Sequence, residues 1–375
     1  MISRERDSRA DSLTTAGAVH PGDMESHFLK LACDQLWSFM CVNARIGADM
    51  RKGKKDKGTV QHTGQPAAVP QKSFGERLRK DFKGNWTLYL MVLIPLAYLI
   101  IFCYIPMGGI QLAFKEYNVK KGIWGSPWVG FYNFQRFFRS YKFTMLLKNT
   151  ILINVYSLVV GFPIPIIFAL LLNYLRQKRF KKTIQMMSYA PYFISTVVMS
   201  GMIIIFLDPN TGVINRILQL FGMEAVNFMG EAKYFKSIYV WSSVWQGMGW
   251  ASIIYIAALS GVDYQLHEAA IVDGATKLQR ILHVDLPSIK PTIIMLLILQ
   301  IGSLMSVGFE KVFLLQNQLN MSASDVLSTY VYRVGLVDND YGYSTAVGLF
   351  NSLINMILLI TANQLAKRTM NESLW

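Results

Sequence analysis

The chain has 375 residues, 52% of them hydrophobic and only 16% charged, and its 37 Lys and Arg against 23 Asp and Glu give a formal charge of +14. A soluble domain carries about 25% charged residues, so this balance, with a mean hydropathy of +0.30, excludes an ordinary soluble domain and calls for apolar runs placed in lipid. An aromatic content of 13% excludes an intrinsically disordered chain, and three cysteines (Cys33, Cys41 and Cys103) are too few for a secreted disulfide scaffold.

Residues 1–72 read as a disordered basic extension containing RKGKKDK at 51–57, with a short amphipathic helix over 28–42 as the alternative. A start at Met50 would turn that run into an ordinary basic N-terminus. The opening residues have no apolar signal core, so the first span doubles as the insertion signal. The rest of the chain, 73–375, holds six stretches without Asp, Glu, Lys or Arg: 85–114, 149–175, 183–207, 237–262, 291–309 and 341–366. About 20 helical residues cross a hydrocarbon core of about 30 Å. Continuous runs such as LMVLIPLAYLIIF lack the alternation of barrel strands, which predicts six transmembrane helices in an all-α integral membrane domain.

The basic residues fall between these runs, as topology signals do, and not on one polar face as in a nucleic-acid binder. Arg176, Lys178, Arg179, Lys181 and Lys182 place the second connection in the cytoplasm. Lys80 and Lys83 before the first span and Lys367 and Arg368 after the last then put both termini there. Residues 115–148 conflict with this count, holding Lys115, Arg136, Arg139 and other cations on the external side. Their aromatics, WGSPWVGFYNFQRFF, predict an amphipathic segment at the membrane interface with snorkelling cations.

The connection at 263–290 is patterned for structure. Asp263 caps a helix through Leu266, Ala269, Ala270 and Val272; Asp273 and Gly274 supply a turn; a second amphipathic stretch follows through Leu278, Ile281, Leu282 and Val284. Pro287 and Pro291 are expected to stop it before the next span. Two short helices at an angle make either a knob for a partner's groove or a surface helix–turn–helix without a partner.

The series Glu268, Ala269, Ala270, Asp273, Gly274, Ala275, Leu286 and Pro287 resembles the EAA motif of binding-protein-dependent ABC importer permeases. The resemblance covers about 73–370 and looks closest to the LplB-like carbohydrate permeases, related to alginate and maltose importer subunits. YIPMGGIQLAFKEYN, YAPYFISTVVMSGMI, GFEKVFLL, TYVYRVGL and YSTAVGLFNSLI also carry it. The chain departs from the family pattern at Tyr192 and at Leu315, Gln316, Asn317 and Gln318, which bears on substrate more than on fold. The resemblance implies the type I (MetI-like) importer permease fold, with those eight residues forming a cytoplasmic coupling helix that seats in an ATPase groove. It also implies a second homologous permease as heterodimer partner, two ATP-binding subunits that use ATP and Mg, and an extracellular or periplasmic solute-binding protein.

The chain itself has no P-loop, and His267 beside Glu268 is no metalloprotease motif because Ile271 stands where a second His is needed. No cofactor or metal is expected. The spans lack the carboxylates of ion-driven pumps. Neutral polar residues, Asn154, Tyr156, Trp245, Gln246, Gln300, Ser303, Asn351 and Asn355, together with Trp250, suit a saccharide pathway, since amides bond hydroxyls and aromatic faces stack on sugar rings. Bonding between helices is the competing role for each. An ATP-independent facilitator or channel and an integral-membrane enzyme are the alternative functions.

Overall fold

The computed structural model describes residues 74–370 with 373 and 374, and side chains from residue 84 onward. The expectations for residues 1–72 and for Met50 lie outside the described residues. The described part falls into two units, 74–109 and from Ile110 onward. The first unit is helix α1, Phe74–Leu99, continued by a wide turn at Ile100–Tyr104. Leu88 through Ile94 are exposed one after another, so every face of the helix is apolar, as a lipid-solvated helix is.

In the second unit α2, Tyr132–Arg139, is followed by α3, Phe143–Tyr156, which runs through a wide turn at Ser157–Gly161 into α4, Pro163–Asn173. Pro163 sits at the start of α4, where its missing N–H costs least. Next come α5, Lys178–Tyr189, α6, Thr196–Phe206, and α7, Val213–Leu220. Helix α8, Ala232–Ser260, is the central pillar and packs on α4, α5 and the later helices. Helices α9, Tyr264–Val272, and α10, Lys277–Arg280, form an elbow after it. The chain closes with α11, Leu286–Gly302, α12, Phe309–Leu315, α13, Leu327–Tyr332, and α14, Tyr341–Met370. One apolar core joins Ile153, Met199, Phe235, Tyr239, Val312 and Val326; another joins Phe137, Leu146, Leu327, Tyr343 and Val347.

Among the described residues four helices are long and apolar enough to cross a membrane: Gly84–Phe114, Phe143–Asn173, Lys277–Gly302 and Tyr341–Thr369. Two expectations need correction. The run 183–207 is not one straight helix: Lys178–Phe193 and Thr196–Phe206 meet at 98°, and only as a bent pair make a fifth span. The break has local causes, Pro191 in the last turn and Ser195 capping the next helix at Val198 N. Helix α8 has 29 residues, but its Ser, Gly, Gln and Trp leave it less apolar than the other four. Pro287 and Pro291 do not stop the second amphipathic stretch. Lys277–Gly302 is one helical run of 26 residues, because a wide turn at Ile281–Asp285 relieves the clash a proline makes with the preceding turn.

Candidate functional site

The elbow between α9 and α10 is shaped by its own sequence. Asp263 accepts a hydrogen bond from Gln265 N at 2.9 Å and opens α9. Gly274 ends it with φ +77°, a conformation that costs other L-residues about 1–2 kcal/mol. Gly274 N donates to Ile271 O at 3.0 Å and Ala275 N to Ala270 O at 2.8 Å. This bond pair satisfies the last carbonyls of α9 in a Schellman cap. Thr276 then opens α10 with a capping box: Thr276 N donates to Gln279 Oε1 at 2.7 Å and Gln279 N to Thr276 Oγ1 at 3.4 Å. Asp273 and Gly274 therefore form the turn that the sequence predicts. Ala275, small and half-buried, lets the two helices meet closely.

The outer face is apolar and exposed among the described residues. Tyr264, Leu266, Ile271, Val272 and Leu278 are exposed, Val272 at 87%. Glu268 and Ala269 are exposed beside them, and Glu268 makes no ion pair among the described residues. Ala270, Asp273, Gly274, Ala275, Gln279 and Arg280 line a cleft of about 280 Å³ in the crook. The elbow thus presents a knob with a notch beside it, on a scale that accepts side chains of another protein.

One buried carboxylate ties the elbow to the bundle. Asp285, fully buried in the wide turn before Leu286, accepts the Tyr174 hydroxyl at 2.7 Å, and His267 Nε2 of α9 lies 3.2 Å from its other oxygen. Tyr174 is the residue that closes α4. Arg280 places its guanidinium 5.5 Å from the Tyr174 ring. Three elements, α9, α11 and α4, therefore converge on Asp285. Leu286 packs beside it in the core of Ile166, Leu170, Tyr255 and Ile289, and Pro287 is exposed on the next position.

Several polar residues of the spans bond to other groups of the chain. Asn154 donates to Thr150 O of its own helix at 3.0 Å. Tyr156 OH accepts from Trp241 Nε1 at 3.0 Å. Gln246 donates to Ile194 O at 3.0 Å, satisfying the carbonyl freed by the break between α5 and α6. Asn355 accepts from Met305 N at 2.8 Å and donates to Ser306 Oγ at 2.9 Å, capping the chain where α11 ends. Ser303 bonds Gln300 O at 3.0 Å. Trp245 is exposed, Trp250 stacks on Tyr192 with centroids 4.6 Å apart, and Asn351 keeps a buried oxygen without a partner.

Sequence reading misses several residues that matter to the architecture. Asp285 lies outside the charge-free windows and carries no motif signal until His267 and Tyr174 are seen beside it. Lys311, buried at 6% exposure, reaches Ser243 Oγ at 2.9 Å and lies 5.8 Å from the Tyr239 ring. Asp325 is fully buried against Arg333, with distances of 2.8 and 2.6 Å. Asn149 bonds Ser322 O and Asp325 O at 2.9 and 3.1 Å, pinning α3 to that segment. Lys311 lies within GFEKVFLL, but that stretch marks the family resemblance and does not show that its charge is buried.

Long apolar helices together with a capped elbow anchored by a buried carboxylate describe an all-helical membrane subunit. The chain belongs to the family described as "Binding-protein-dependent transport system inner membrane component", whose model matches residues 161–371. It is therefore a transport subunit of the inner membrane that works with a solute-binding protein, and not itself an enzyme. It is 43% identical over 298 residues to "Protein LplB" of Bacillus subtilis (strain 168), covering 80% of this chain and 92% of that one. It is 42% identical over 288 residues to the "Polygalacturonan/rhamnogalacturonan transport system permease protein YteP" of the same strain, covering 77% and 90%. A solved chain titled "Crystal structure of a bacterial ABC transporter involved in the import of the acidic polysaccharide alginate" superposes with a TM-score of 0.73 at 39% identity, covering 78% of this chain and 99% of that one.

Proposed function

We propose that this chain is one membrane half of an ATP-driven importer for an oligosaccharide or polysaccharide fragment. The four apolar spans, the bent pair and α8 make six crossings, with both termini and the elbow cytoplasmic. The elbow of Glu268, Ala269, Ala270, Asp273, Gly274 and Ala275 is the coupling helix. It docks into one of two ATPase subunits, which bind ATP and Mg, while a second homologous permease completes the pore and an external binding protein delivers the saccharide. The names of the similar proteins, which concern galacturonan, rhamnogalacturonan and alginate, support the saccharide class.

The observation that carries this reading is the exposed apolar knob rigidly capped at both ends and anchored through Asp285 to α4 and α11. A push on α9 is passed through His267 and Asp285 to two spans at once, so closure of the ATPases tilts helices as rigid bodies. ATP binding opens the pore outward, the binding protein releases its saccharide, and hydrolysis resets it. Gly274→Pro removes the N–H that bonds Ile271 O and the left-handed turn together. In proteoliposomes with all subunits, it should abolish uptake while the variant still inserts and the ATPases still hydrolyse ATP. Full uptake by this variant rejects the coupling assignment.

A further inference from the structure

At the end of the bundle opposite the elbow, α2, the chain after α13 and the start of α14 border an open cavity of about 640 Å³, whose facing residues Tyr132, Gln135, Arg139 and Asp338 are exposed. One wall is preorganised. Arg136 pairs with Asp340 at 2.5 Å and lies over the Tyr343 ring at 4.5 Å, and Tyr343 OH is 3.2 Å from Tyr330 OH. Tyr343 and Tyr330 are buried, at 3% and 8% exposure, so this wall is fixed by packing as well as by charge.

The facing side chains are different. Tyr132, Gln135, Arg139 and Asp338 line the same cavity, and none has a side-chain hydrogen bond or ion pair among the described residues. They offer a ring face, an amide, a guanidinium and a carboxylate around one space of ligand size. Planar groups that donate and accept in pairs match adjacent hydroxyls, and an exposed tyrosine face matches the apolar face of a pyranose. The lining carries two arginines and two aspartates, so it offers no net field for a polyanion. Arg139 alone suits a single carboxylate.

From this arrangement we infer that the cavity is an entry subsite for one saccharide unit, neutral or singly acidic, on the side where the binding protein delivers its cargo. Tyr132 stacks on the ring, Gln135 and Asp338 take hydroxyls, and Arg139 takes a hydroxyl or the carboxylate of a uronate. The inference rests on the importer reading above. It is distinct from it, because the coupling elbow and this cavity share no residue.

The test uses the complete transporter, with ATPases, second permease and binding protein, in proteoliposomes. The probe is the pectin-derived oligosaccharide that wild type takes up fastest, compared with the same fragment after its carboxylates are reduced to alcohols. Arg139→Gln should lower the ratio of acidic to reduced-fragment uptake about fivefold, and Asp338→Asn should raise it. Tyr132→Ala should lower uptake of both, Tyr132→Phe should restore it, and the ATP consumed per saccharide should stay at the wild-type value. If Arg139→Gln and Asp338→Asn change both fragments equally, the residues dock the binding protein and the subsite is overturned. Wild type that takes up no fragment at all overturns the importer reading and the subsite together; wild-type uptake with unmoved ratios overturns the subsite alone.

Discussion

His267 Nε2 on α9 stands 3.2 Å from Oδ1 of Asp285, a carboxylate with no solvent exposure at the foot of α11. The same carboxylate takes the Tyr174 hydroxyl at 2.7 Å, so the elbow, the second span and the fifth segment share one buried acceptor. Asp285→Ala leaves the Tyr174 hydroxyl donor, and the His267 ring beside it, facing an emptied site. Its expected cost is about 3 kcal/mol, against about 2 kcal/mol for Tyr174→Phe, which removes one bond to a charged group. Thermal unfolding of the purified complex reads both values. Uptake per ATP should fall for Asp285→Ala more than the melting shift explains, and an unchanged ratio would show that Asp285 only stabilises.

Gly274 stands at φ +77° with open space where a Cβ would point. Backbone strain alone therefore sets the cost of Gly274→Ala, about 1–2 kcal/mol, and Gly274→Asn should cost less because Asn tolerates the left-handed region. The order glycine, asparagine, alanine in uptake rate is the expected outcome. Alanine equal to glycine would show that the turn is not held.

Thr276 gives α10 both halves of its capping box with Gln279. Thr276→Val keeps the shape and loses the acceptor, at about 1 kcal/mol. Amide hydrogen exchange at 277–280 should quicken several-fold, while exchange in α14 stays as it is.

At Gly249 helix α8 runs directly against the backbone of the bent pair: a Cβ there would collide with the backbone carbonyl of Ser188. Gly249→Ala must move backbone against backbone, which costs about 1–3 kcal/mol as overpacking does. The expected result is a lowered melting temperature and a faster protease cut near 190. A melting temperature equal to wild type contradicts the contact.

The loop after α6 carries a pH-dependent turn. Asp208 Oδ1 accepts from Thr211 N at 2.7 Å, from Thr211 Oγ1 at 2.9 Å and from Asn210 N at 2.9 Å. Thr211 N first, then the Thr211 hydroxyl and Asn210 N, hold its carboxyl below the ordinary value of 3.8. A depressed carboxyl pKa makes the turn's stability fully present above that ordinary value and lost as pH falls through the depressed one. Carbon NMR titration of the Asp208 carboxyl should show its midpoint rising in Thr211→Val; a fixed midpoint refutes the turn.

Much of this architecture is legible in sequence because the bilayer forces it. Charge-free runs locate α1, α3 with α4, α11 and α14, and the series from Asp263 to Gln279 specifies both helices and the turn of the elbow through local hydrogen bonds. What sequence hides is long-range or a matter of degree. The 98° break follows from Pro191 and Ser195 but is held by Gln246, fifty-two positions away. Pro287 reads as a stop because a proline's clash is local, and the wide turn that relieves it is not encoded in any single residue. Gln246 and Asn355 read equally well as sugar contacts or as helix bonds, and the partners they have are Ile194 O for Gln246, and Met305 N with Ser306 Oγ for Asn355.

The caps of the elbow lie wholly within residues 263–279, and the bundle contributes none of them. Its curvature is thus set from within, while its hold on the bundle runs through Asp285, through Arg280 over the Tyr174 ring and through the packing of Ile281 and Leu286.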